Sequence, residues 1–330
     1  MVVDHHTLRH QPVVPTPRHH QIRRTTRQLT FLLSALAAAR PIRCVTLSGV
    51  PFTFFAHQVP VLPLKTRAPD RWDGLALVVG SILPDLWYVT SGWRWGPLGL
   101  PLWVSGHRFD LIVQNCVIPG TILTILLRRW AVPVVPAVLP KAGFLRLRDY
   151  RLLALSQHRW WVTAYSALVG ALTHLLIDGF THSDGWAVEG IPALREPLLT
   201  LGDRSVTVYK ALQFGGHVFG SIAGAYLLLV ISRRKLQWTW HGYAGVRPPD
   251  PFVHDPGRVV IWSVLAAGSV VALGYGAFRW SAGDGGVPAF MAFSCVLIAT
   301  LLVAGLAGRR YVEPLPPGPG SPAPVDPLVE

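Results

Sequence analysis

From residue 74 onward, apolar runs long enough to cross a bilayer alternate with basic loops, and this pattern most constrains what the chain can fold into. A spanning helix needs about 17–25 largely apolar residues. Candidate spans fall at 74–92, 106–127, 160–180, 211–232, 258–279 and 287–308. Only 14% of residues are charged, against about 25% in soluble domains. The 13 tryptophans suit membrane interfaces, where amphipathic rings sit best. The sequence therefore predicts an all-α, polytopic membrane helix bundle of about six spanning helices. A short re-entrant or tilted N-terminal helix is expected at 53–64, since its length is too small for a span.

Loop charge orients the bundle. The loops 128–159 and 233–258 together with Arg309 and Arg310 hold 14 Lys or Arg, whereas the alternate loops 93–106, 181–210 and 279–287 hold 5. The positive-inside rule then puts the basic loops and the C-terminus in the cytoplasm. Loop 181–210 would face outward, long enough to act as a lid. The net charge of +13 thus reports topology, and no nucleic-acid partner is expected.

Composition divides the chain further. Residues 1–50 hold seven arginines, five histidines and one acid, Asp4, which predicts a disordered basic extension. An alternative reading starts translation at Val50, with Pro51 second. The membrane core is expected at 51–232, a cytoplasmic loop at 233–257 and two further spans at 258–308. The proline-rich tail 309–330 is expected to be disordered.

Ionisable groups inside spans are informative because each costs about 2.5–3.5 kcal/mol at a helix centre. Asp85, His107, Asp110, His174, Asp178, His182 and His217 all fall within about 10 Å of one face at 1.5 Å per residue. His174 and Asp178 are i and i+4, so they share a helix face, as do His107 and Asp110 at i and i+3. Imidazole with carboxylate suits a divalent transition metal such as Zn, Mn, Fe or Ni. On this reading Asp85, His107, His174, Asp178 and His182 are candidate metal ligands. Asp110 or Asp184 would orient a catalytic water, and Arg195, Arg204 and Lys210 would meet an anionic headgroup. Each has a simpler role open to it. Asp85 could satisfy backbone freed by Pro84, and His107 could be interfacial. His174 and Asp178 could share an ion-free hydrogen bond, and His182 could be a loop residue before Ser183-Asp184-Gly185. His217, beside Gly215 and Gly216, suits helix packing better than ligation, and His158 lies outside the constellation.

Four segments occur in order: PFTFFAHQVPVLPL (51–64), LVVGSILPDLWY (77–88), GALTHLLIDGFTHSDGW (170–186) and YKALQFGGHVFG (209–220). Together they resemble an uncharacterised bacterial membrane-protein family, domain of unknown function 4184, over residues 51–232. A more distant likeness is to the inner-membrane metal-dependent hydrolases. That likeness implies a site at His57, Asp85 after Pro84, His107 before Arg108, and His174 with Asp178. Here HRFDL carries Asp110 where those hydrolases have a further His, and Trp87 stands where they have a second Asp. The expected function is hydrolysis of a lipid or lipid-linked ester or phosphoester at the outer face of the bacterial cytoplasmic membrane. The alternatives are an ion or proton carrier, or a structural bundle with a hydrogen-bonded His/Asp core.

Overall fold

The computed structural model describes residues 56–91, 104–140, 143–201 and 204–320, with the backbone of a two-residue hairpin at 94–95 and 100–101. The extension 1–50, the Val50 start and residues 321–330 lie outside the described residues. Helix α1 covers Leu62–Arg67 and α2 covers Gly74–Leu86, continued by a 3-10 turn at Trp87–Thr90. A continuous helix α3 runs Val113–Val138. Next come α4 at Trp160–Thr181, α5 at Trp186–Gly190 and α6 at Val208–Arg233. The chain continues with α7 at Leu236–Trp240, α8 at Gly257–Ser281 and α9 at Gly286–Gly308. The hairpin β1 (Arg94–Trp95) and β2 (Leu100–Pro101) is antiparallel, as is β3 (Pro197–Leu201) with β4 (Arg204–Thr207) ahead of α6.

Among the described residues five helices are long and apolar enough to cross a membrane, so this is a multi-pass, all-α membrane protein. The sixth expected span, Gly74–Thr90, is apolar but shorter. Three boundaries differ from expectation. Of the segment expected as one helix at 53–64, residues 53–55 lie outside the described residues, turns occupy 57–61 and helix resumes at Leu62–Arg67. The second span starts at Val113 and runs past Arg128 and Arg129 to Val138. The tail, expected to be disordered from 309, is docked through Gly320: Tyr243 Oη donates to the Pro316 carbonyl, and Gly320 N donates to Gly242 O. Its extended prolines leave carbonyls free to accept such bonds.

Prolines explain how α3 is built. Wide π-turns at Val113–Val117 and Leu127–Ala131 precede Pro119 and Pro133. Such a turn makes room for the pyrrolidine ring, which would otherwise strike the carbonyl four residues earlier. Pro119 also has no N–H to offer the Asn115 carbonyl, which instead accepts from Trp87 Nε1 at 2.6 Å. Leaving that carbonyl unpaired in an apolar setting would cost about 1–3 kcal/mol. The Asn115 amide donates to Ser105 O at 2.7 Å, so one residue ties the end of α2 and the 104–108 loop to α3.

Helices α2 and α4 touch backbone to backbone. A Cβ at Gly80 would strike the Ala167 backbone, and one at Gly170 would strike Leu77, Gly80 and Ser81 of α2. Only glycine permits that approach. Around it Leu83, Leu86, Ile112, Cys116, Ala171, Leu175 and Met291 form a buried cluster. Met291 belongs to α9, so the last span completes the core where the sequence set it apart as an addition. Arg279 of α8 ion-pairs with Asp284 and donates to Val89 O and Ser91 O at 2.7 Å each, fixing the end of α2.

The opposite end is latched by charge. The Asp73 carboxylate caps α2 through Ala76 N and accepts from Thr163 and Arg128. Burial works against its ionisation, yet the Arg128 guanidinium and the Thr163 hydroxyl hold the carboxyl below its ordinary range. Lys65 is buried and donates to Pro69 O and Trp72 O at 2.6 and 2.9 Å. Desolvation pushes its ammonium down to about 8 against the opposing pull of Asp73 and Asp70. His158 Nε2 lies 3.4 Å from Lys65 Nζ, so this histidine belongs to the latch.

Candidate metal centre

Four side chains from three parts of the fold meet at the other end of α2. Asp85 follows Pro84 near the end of α2, and His174 and Asp178 occupy successive turns near the end of α4. His107 comes from the loop before α3. That loop lies against α2 so closely that a Cβ on Gly106 would strike the Pro84 backbone. The glycine crossing of α2 and α4 therefore sets the separation of Asp85 from His174, and Gly106 sets that of His107 from both.

One ligand atom from each of Asp85, His107, His174 and Asp178 lies within 4.8 Å of every other. Asp178 Oδ2 is 3.1 Å from His107 Nε2 and 3.1 Å from His174 Nε2. Asp85 Oδ1 is 3.3 Å from His107 Nε2 and 3.4 Å from His174 Nε2. The two imidazole nitrogens are 3.3 Å apart. A tetrahedral ion with bonds of about 2.1 Å spaces its ligands about 3.4 Å apart. Five of the six donor separations, 3.1 to 3.4 Å, fit that spacing.

Hydrogen bonding also fixes the donor character. His174 Nδ1 lies 2.7 Å from the Ser81 carbonyl, which can only accept, so Nδ1 carries the hydrogen. In neutral His174 the Nε2 lone pair then faces two carboxylate oxygens and a second imidazole nitrogen. Acceptors crowded in this way need a cation or shared protons between them. Carbonyl-oriented imidazole is also the usual outer support of a metal-binding histidine. This His/Asp group can therefore hold a metal ion.

Further groups surround the four. The His57 ring stacks on His174 with centroids 3.9 Å apart, and its Nε2 is 3.6 Å from Asp178 Oδ1. His182 Nδ1 is 3.5 Å from the same oxygen. The Tyr88 ring is 5.3 Å from that of His107. A cavity of about 250 Å³ adjoins Asp178 and His57, with Val59, Ile177, Gly216 and His217 among its lining residues. Six of the proposed ligands are thus brought together.

The remaining sequence candidates stand apart from this cluster. Asp110 is exposed and ion-paired with Arg108, and Asp184 is exposed in the turn after α4. Arg195 and Lys210 are exposed, while the Arg204 side chain lies outside the described residues. Asp110 has a physical reason for its position. Arg108 two residues earlier holds it, so the i, i+3 spacing from His107 does not deliver a helix face before α3 begins. Gln213, whose Nε2 is 3.2 Å from His182 Nε2, was not singled out by the sequence argument. Its position four residues before His217 on α6 was the available signal.

The helical membrane bundle and its buried His/Asp cluster define a multi-pass membrane protein with a candidate metal centre. The chain belongs to the family described as Domain of unknown function (DUF4184), which matches residues 50–307. The match reaches through α8 and into α9, well past residue 232 where the sequence resemblance ended. No curated protein and no solved structure matches the chain.

Proposed function

We propose that this protein is a metal-dependent hydrolase that cleaves an ester or phosphoester of a lipid or lipid-linked substrate. The observation that carries this reading is the convergence of Asp85, His107, His174 and Asp178 beside a largely apolar cavity of about 250 Å³. A bound divalent ion supplies an activated water and polarises a scissile oxygen. The chain itself does the positioning: the Ser81 carbonyl orients His174, and Gly106 lets His107 approach Asp85. Val59, Pro60 and Ile177 line the cavity with apolar surface and would hold an aliphatic chain. With Asp110 paired to Arg108, His217 on the cavity wall is the group suited to exchange a proton with substrate. Arg195 and Lys210, both exposed, would meet an anionic headgroup.

The test is turnover of the purified, metal-loaded full chain on ester and phosphoester lipids, read by mass spectrometry of the products. Wild type should release product only with metal present, and Asp85→Ala should lose at least about 100-fold of that rate, as expected for loss of a charged group at the reacting centre. Metal-independent or absent turnover over that substrate range would sink the hydrolase reading. A carrier is less favoured because α2 holds no ionisable side chain between Asp73 and Asp85. A relay would need polar groups continuing between them.

The site is proposed to face outward in the cytoplasmic membrane, with the C-terminus in the cytoplasm, on the strength of the loop-charge asymmetry. Single cysteines placed in 181–210 should react with an impermeant thiol reagent in intact cells, while those in 143–159 should not. The reverse pattern would put the site on the cytoplasmic side.

A further inference from the structure

The two oxygens of Asp178 face different partners. Oδ2 serves the four-donor cluster through His107 and His174. Oδ1 is 3.6 Å from His57 Nε2 and 3.5 Å from His182 Nδ1. These separations exceed the 2.7–3.2 Å of a good N–H···O bond. They match the spacing of about 3.0–3.6 Å between neighbouring ligands on one ion with bonds of about 2.1–2.2 Å. His57 sharpens the point. It is only 4% exposed, and its Nδ1 has no hydrogen-bond partner among the described residues. Burying an imidazole is unfavourable without compensation; an ion at Nε2 would offset the desolvation of the ring, while Nδ1 itself stays without a partner.

We propose that Asp178 is a bridging carboxylate, and that His57, His182 and Asp178 Oδ1 form a second divalent transition-metal site beside the first. The inference rests on the single-ion reading of the four-donor cluster. The two sites differ in kind. Asp85, His107, His174 and Asp178 Oδ2 supply four protein ligands, so a water on that ion would be a fifth ligand. The second site has three protein donors, and two of their owners, His57 and Asp178, line the cavity. It therefore would keep a fourth coordination position open to a ligand entering there, with no need to expand its coordination. Paired ions about 3.5–4 Å apart clamp both oxygens of a displacement at phosphorus or carbon. Gln213 supports His182. Gln213 Nε2 lies 3.2 Å from His182 Nε2, and Thr181 Oγ1 lies 3.2 Å from His182 Nδ1; an ion at Nδ1 would replace the Thr181 contact, with the Gln213 amide turned so that its oxygen accepts from Nε2–H.

The test is Mn²⁺ titration of the purified full chain, with metal analysis and electron paramagnetic resonance. Wild type should take up two equivalents and show an exchange-coupled signal. His57→Ala and His182→Ala should each fall to one equivalent with an uncoupled six-line spectrum. A single equivalent in wild type, unchanged in both variants, would overturn the second site and leave the single-ion reading standing. No bound metal would end both. Should either variant fail to fold, the wild-type spectrum decides alone, because an uncoupled signal at saturation excludes a bridged pair.

Discussion

Asp178→Ala should empty the site, and the chelator response of the folded protein should vanish with it. Asp178 is the residue on which the arrangement converges: its carboxylate lies 3.1 Å from His107 and His174, 3.5 Å from His182 and 3.6 Å from His57. Its loss leaves imidazoles that repel one another's lone pairs around a single remaining carboxylate, Asp85. Removing an outer support of a metal ligand costs about 10–100-fold in affinity, and loss of a shared charged ligand should exceed that. Metal occupancy is also folding stability, since an ion present at about 1,000 times its Kd contributes about 4 kcal/mol. A strong chelator should therefore lower the melting temperature of wild type and leave Asp178→Ala unmoved. His158→Ala serves as the control for metal content alone, because His158 touches Lys65 at the far end and its loss can weaken that latch. Wild type that purifies without metal and melts identically in chelator would remove the ion from the account and leave a hydrogen-bonded polar core.

The alternation of apolar runs with basic loops made the membrane fold legible, because length and polarity are set locally by what a bilayer tolerates. The i, i+4 pair His174 and Asp178 was legible for the same reason: helix geometry alone fixes its common face. Asp85 and His107 could be matched to it in depth, since rise per residue converts sequence position to height. What the sequence concealed depends on tertiary approach. The helix through Arg128 and Arg129 reads as a loop by charge, yet Arg128 finds Asp73 and the π-turn admits Pro133. The Ser81 carbonyl that orients His174 belongs to no side-chain pattern. Nor does spacing announce that Met291, more than a hundred residues from Leu175 in sequence, packs in the same cluster. His57 entered through resemblance alone, because the turns over 57–61 give no periodicity from which its direction could be read.

The second large effect should come from a residue that touches no ligand atom. Gly170→Ala should lower both stability and metal affinity, although alanine favours a helix over glycine by about 1 kcal/mol. The added Cβ would lie under 3 Å from the Leu77 carbonyl oxygen and the Ser81 nitrogen. Both are backbone atoms of α2, so no side chain can rotate away and α4 must move. Overpacking of this kind costs about 1–3 kcal/mol, which outweighs the propensity gain. His174 lies one turn beyond Gly170, so displacement of α4 lengthens its contacts to Ser81 O and Asp85 Oδ1 together. Gly274→Ala is the matched control: its Cβ would meet nothing within 4 Å, leaving only the gain in helix propensity. Melting curves and competition against a metal-binding dye should separate the pair, with Gly170→Ala weaker in both and Gly274→Ala equal to or above wild type in both. If Gly170→Ala melts and binds metal as Gly274→Ala does, the close α2–α4 crossing does not hold the donors in register, and the position of His174 must be set by the 104–108 loop and Asp178 instead.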